Sequence, residues 1–128
     1  MKQKKLEVLM VEPMKEPRMV TLDNNLTALQ EAVSIGADYR GLIEIIPLDD
    51  EANILCNEEA KLLELEPNRR LWSDILCGVF YVTGQDNEGN LCSLSAERMA
   101  YYKDFFAEPE VISSEEAENA LIAGFFVL

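Results

Sequence analysis

The chain has 128 residues, with 24 acidic and 11 basic side chains, no histidine, three cysteines and 48% hydrophobic content. That length and apolar share suit one domain burying roughly 65–70% of its unfolded surface, and they exclude a disordered or collagen-like chain. The lack of histidine excludes Ser-His-Asp, Cys-His and HExxH chemistry, and a net charge of −13 disfavours direct nucleic-acid or membrane binding.

Lys2, Lys4 and Lys5 look like the start of an export signal, but Glu7, Glu12 and Pro13 interrupt the apolar run that follows, so a cytoplasmic protein is expected. Lys5 to Val11 alternates with apolar residues on most of both faces, which predicts an interior strand. The two prolines of Glu12–Pro17 predict a turn into a short strand at Arg18–Leu22, paired with the first as a hairpin. Asp23, Asn24 and Asn25 offer N-cap oxygens, and Leu26, Leu29 and Val33 recur at helical spacing before Gly36; a helix is predicted over 25–35.

Leu42–Leu48, rich in isoleucine, and Asn53–Cys56 read as strands joined by the polar turn Asp49–Glu51. Asp74–Thr83 has the β-branched and aromatic content of one buried strand, with Gly78 marking a bulge or close approach. A polar hairpin loop, Gly84–Asn90, then leads into Leu91–Leu94. Ser95 suits an N-cap, with Leu94 and Met99 placed for a hydrophobic staple, and Met99, Tyr102 and Phe106 share one helical face until Pro109. Ser113-Ser114-Glu115-Glu116 matches a capping box, which predicts a last helix toward Gly124 and an apolar tail from Phe125 to Leu128. Ala120–Leu128, the longest uncharged apolar stretch, is far short of the roughly 18–20 residues a membrane span needs.

Hairpin-length links between consecutive strands predict the α+β class: a mainly antiparallel sheet with two or three helices packed against it, in a single domain over 1–128. Leu6–Val11, Leu42–Ile46 and Asp74–Val82 are expected as its longest strands.

Cys56, Cys77 and Cys92 form no CxxC pair, so no zinc site is expected; Cys56 and Cys77 lie in apolar runs and are expected as buried free thiols. No glycine-rich phosphate loop is present. No catalytic residue, metal or cofactor is therefore expected. Asn57, Glu58 and Glu59 allow two readings, a capped first helical turn or a carboxylate pair for a hard cation. Arg69 and Arg70 suit either recognition of an outside anion or an internal ion pair, and a pair of Arg69 with Glu58 or Glu59 is expected. Trp72, the single tryptophan, follows Leu71 and is expected to be partly buried.

Val8-Leu-Met-Val-Glu-Pro13, Leu29-Gln-Glu31, Gly41-Leu-Ile-Glu-Ile-Ile-Pro-Leu-Asp49-Asp50, Cys56-Asn-Glu-Glu59, Pro67-Asn-Arg69 and Asp74-Ile-Leu-Cys-Gly78, in this order, resemble the family catalogued as domain of unknown function 3846. The resemblance covers about residues 6–108 and leaves 109–128 as a C-terminal helical extension. It implies small intracellular proteins encoded mainly in phages, plasmids and conjugative elements of bacteria, and it implies no established activity.

Two stretches concentrate the negative charge: Glu44–Glu66 holds eight acids and only Lys61, and Asp104 to the end holds six acids and no base. The leading expectation is a non-catalytic interaction module that binds a protein with a basic surface, in its sharpest form an anti-defence protein or DNA mimic. Glu64, Glu66, Glu115 and Glu116 are the candidate acidic face, and Asn57, Glu58, Glu59, Pro67, Asn68 and Arg69 the candidate contact residues. The alternative is a small-ligand binder or enzyme with a polar pocket around Asn57, Glu58, Glu59, Asn68 and Arg69.

Overall fold

Alternation in Lys5–Val11 places Leu6, Val8 and Met10 on one side and Leu9 and Val11 on the other, all buried, so this strand needs cover on both faces. In the computed structural model, which describes residues 3–119, it is β1 (Lys5–Val11). Around it lies an antiparallel sheet of order β2-β1-β7-β4-β3, built with β2 (Arg18–Asp23), β3 (Ile43–Asp49), β4 (Ala52–Asn57) and β7 (Phe80–Gln85). The predicted first hairpin is present, with Leu6 opposite Leu22 and Val8 opposite Val20. β8 (Leu91–Cys92) adds to β7, opposite Gly84 and Gln85.

One face of the sheet is covered by α1 (Leu26–Ala32). Asn25 caps it, its Oδ1 accepting from Ala28 N at 2.9 Å. Leu29, Ala32 and Val33 pack on Leu6, Val8, Met10, Leu55 and Tyr81, and the Tyr81 hydroxyl donates to the Ala32 carbonyl at 2.9 Å, fixing the helix end to the sheet. The opposite face is covered by α2 (Ala96–Phe105), capped by Ser95 as expected. Tyr102 and Phe106 enter the core there, and Phe106 meets Phe80 edge-to-face with centroids 5.1 Å apart. The α+β class with an antiparallel sheet holds.

The region after β4 departs from the sequence reading in two places. Asp74–Thr83 is two strands: β6 (Asp74–Cys77) pairs with β5 (Pro67–Leu71) in a separate hairpin, and only Phe80–Gln85 enters the main sheet. Gly78 causes the break, with a φ of +72° and a Leu65 side chain so close that a Cβ would lie 2.9 Å from it. β5 itself was not anticipated, because its inward positions include the polar Asn68 and Arg69, which give no apolar alternation.

The hairpin lies on the α2 side, where Leu71 and Leu76 join the core beneath that helix. Its Ile75 and Cys77 form a third apolar cluster with Ala60, Leu65 and Ala117. Ala117 belongs to a helical segment over 114–119, capped by Ser113, whose Oγ accepts from Glu116 N at 3.1 Å. The predicted continuation to Gly124 and the tail 125–128 lie outside the described residues.

Candidate functional site

The structure separates the polar residues that the sequence offered as the lining of one pocket. Asn57 ends β4 at 3% exposure; its Oδ1 accepts from Glu59 N at 2.8 Å, so it caps the turn that follows, and its Nδ2 packs against Gly41 without a hydrogen-bond partner. Glu58 is exposed and Glu59 half-buried.

Asn68 and Arg69 are 0% and 1% exposed and form a structural knot. Asn68 Nδ2 donates to the carbonyls of Val11 (3.0 Å) and Gly78 (2.8 Å). Arg69 donates through Nε and Nη2 to Phe106 O (3.2 and 3.1 Å), through Nη2 to Lys15 O (2.7 Å), and through Nη1 to Asn68 O and Oδ1 (3.3 and 2.7 Å). These five bonds match the five guanidinium N–H groups.

The expected ion pair of Arg69 with Glu58 or Glu59 is therefore replaced by carbonyl acceptors. Strand alternation turns Arg69 inward with Leu71, where the C-cap residue of α2, Phe106, presents the negative end of a helix dipole. Burial lowers the guanidinium pKa, against the opposing pull of Glu110. Arg70 points outward and makes ion pairs instead, with Glu110 at 2.8 Å and Glu116 at 2.7 Å.

Beside the hairpin, the α2-side face of β3 and β4 forms one wall of a groove of about 290 Å³, closed by β6 and the turn over 58–62. Its floor is apolar: Ile46, Cys56, Ala60, Ile75, Leu76 and Cys77. Its rim carries Glu44, Glu58, Lys61 and Asp74, with Leu62 beside them at 66% exposure. Lys61 is paired with Asp74, whereas Glu44 and Glu58 have no basic partner among the described residues. Cys56 and Cys77 are buried free thiols. Burial, with Glu44 and Asp74 adding repulsion, pushes the Cys56 thiol up to about 12, so it stays protonated and unreactive at neutral pH. Among the described residues no group of His, Cys, Asp and Glu is arranged to hold a metal ion.

A second hollow, about 190 Å³, shares Lys61 and Cys77 with the first and lies between the stretch Glu64–Pro67 and the helical segment carrying Ser114, Ala117 and Glu118. Packing of Leu65 with Ala117 thus brings the two acid-rich stretches together. Glu64, Glu66 and Glu115 are exposed, while Glu116 is held by Arg70.

Trp72 corrects the expectation of partial burial: it is 70% exposed with φ +54°. It occupies the first place of the two-residue turn between Leu71 and Asp74, a conformation that glycine usually supplies. Sequence reasoning missed this because β5, and hence the hairpin, was not recognised.

These features define a small α+β protein with an acid-fringed apolar groove and a buried arginine knot. The chain belongs to the family described as Domain of unknown function (DUF3846), whose profile matches residues 4–107. The match includes every residue bonded to Asn68 and Arg69, and it ends before Glu110 and Glu116. No curated protein and no solved structure matches the chain significantly. No helix among the described residues is long and apolar enough to cross a membrane.

Proposed function

We propose that this protein is a non-catalytic interaction module of a bacterial mobile element, docking through its acidic surface on a protein partner with a basic face. The supporting observation is the packing of Leu65 on Ala117, which joins acids from two distant stretches on one side of the fold. Among the described residues no acid is buried, and the buried Arg69 removes a base from the surface. A field built this way persists over the Debye length of about 8 Å at physiological salt and steers a basic partner. The ligand-pocket alternative has less support, because the donors of Asn68 and Arg69 are consumed by backbone carbonyls.

The test is retention of proteins from the native host on immobilised wild type and on a variant with Glu64→Lys, Glu66→Lys and Glu115→Lys. Glu116 is left intact because it holds Arg70. The expected result is a basic protein held by wild type at low salt, released as salt rises, and lost with the variant. Retention that ignores both salt and charge reversal refutes the proposal.

A further inference from the structure

We propose that the groove between β3, β4 and β6 receives a basic, apolar peptide segment of a protein partner. The inference rests on the acidic-surface reading above and narrows it to one place. Acids alone would attract any cation, but here they border a floor of Ile46, Cys56, Leu76 and Cys77, with the exposed Leu62 at the edge. An occupant must satisfy both: apolar side chains for the floor, and lysine or arginine for Glu44 and Glu58.

Shape favours a peptide over an enclosed small molecule. The groove, about 290 Å³, is at the small end of small-molecule sites and is partly open to solvent, so it suits a few side chains of a segment continuing across the surface. Charge separates the remaining occupants. A second copy, at −13, brings like charge to the rim, and the chain's own apolar stretch 120–128 has no basic residue to meet Glu44 or Glu58. Anionic lipid and nucleic acid are repelled for the same reason.

Trp72 offers a reporter. It is the single tryptophan, it is exposed, and it stands at the tip of the hairpin whose second strand walls the groove. The full chain is titrated with three synthetic peptides of equal length: an amphipathic lysine–leucine peptide, an oligolysine, and a leucine–serine peptide without charge. Binding is followed by calorimetry and Trp72 emission.

The lysine–leucine peptide should bind and change the emission, with the other two at least about tenfold weaker. Glu44→Lys combined with Glu58→Lys, and separately Leu62→Ser, should each weaken it by about tenfold. Glu88→Lys, on the β7–β8 loop, should leave it unchanged; all these positions are exposed, so folding is expected to survive.

Equal binding of oligolysine overturns the groove while leaving the broader acidic-surface reading intact. Equal binding of the leucine–serine peptide overturns the charge selection and returns the groove to an uncharged occupant such as the stretch 120–128. Self-association in sedimentation that disappears with Leu62→Ser assigns the groove to a second copy and also overturns the proposal. A host partner lost on reversal of Glu64, Glu66 and Glu115 but indifferent to Glu44→Lys with Glu58→Lys refutes the groove alone; indifference to both sets refutes both readings.

Discussion

Adjacent arginines in β5 have opposite fates, and the difference sets what each is worth. Arg69 is enclosed by carbonyls from Lys15, Asn68 and Phe106, so its removal leaves buried acceptors without donors. Lysine is no substitute, because a point charge with three donors cannot span the acceptors that the planar guanidinium reaches. Arg69→Lys is expected to cost about 3 kcal/mol or more, read as a lower urea midpoint. Arg70→Ala, at an exposed ion pair, should shift the midpoint far less. A second residue-scale prediction concerns Asp49. Burial would raise its pKa, but hydrogen bonds from the Tyr102 hydroxyl, Glu51 N and Arg98 outweigh that and hold it below the ordinary carboxylate value. A depressed folded-state pKa contributes stability above the unfolded value, near 3.9, that is lost as pH falls through the folded value. Asp49→Asn should therefore lower stability at neutral pH and flatten the decline below about pH 4, measured by urea unfolding across pH.

At the scale of elements, the β5–β6 hairpin is where local sequence and fold disagree. Trp72 has a positive φ that suits glycine, and its exposed ring recovers little packing. Trp72→Gly should be neutral or stabilising by up to about 1 kcal/mol in thermal unfolding, whereas a marked loss would mean that the ring packs where the structure leaves it exposed. The same hairpin shows why part of the fold was readable and part was not. β1 was legible because both of its faces are apolar, and α2 because Ser95, Leu94 and Met99 spell its start. β5 was not, since its inward residues are Asn68 and Arg69, whose acceptors come from residues 11, 15, 78 and 106 and exist only after the chain has folded. Gly78 reads as irregular in the sequence, but neither its positive φ, between β6 and β7, nor the close approach of the Leu65 side chain can be read from its neighbours in the chain. The groove was equally hidden: Glu44, Glu58 and Asp74 come from three elements that meet only through pairing and packing.

For the molecule as a whole, the charge of −13 acts on stability and association in opposite senses. Ion pairs such as Lys5–Asp23, Arg40–Glu31 and Arg98–Asp49 occupy much of the basic complement, leaving Glu44, Glu58, Glu64 and Glu66 with no basic partner among the described residues. Self-repulsion should therefore lower stability at low ionic strength, and screening should relieve it as the Debye length falls from about 30 Å to about 8 Å. The thermal midpoint is expected to rise over that salt range while association with a basic peptide slows. A midpoint that falls with salt would mean that the ion pairs, rather than repulsion, dominate the surface.

The arginine knot also constrains motion. One guanidinium holds the loop after β1 through Lys15, the end of α2 through Phe106, and its own strand through Asn68. A fluctuation that frees Lys15 also removes a donor from the end of α2, so segments roughly ninety residues apart in sequence are coupled in one opening event rather than fraying separately. In hydrogen exchange, the Lys15 amide, which donates to Glu12 O at 3.3 Å, and the amides of the last turn of α2 should show a common opening free energy in the wild type. In Arg69→Lys they should part, with the loop exchanging first because it has no helical hydrogen bonds of its own to fall back on.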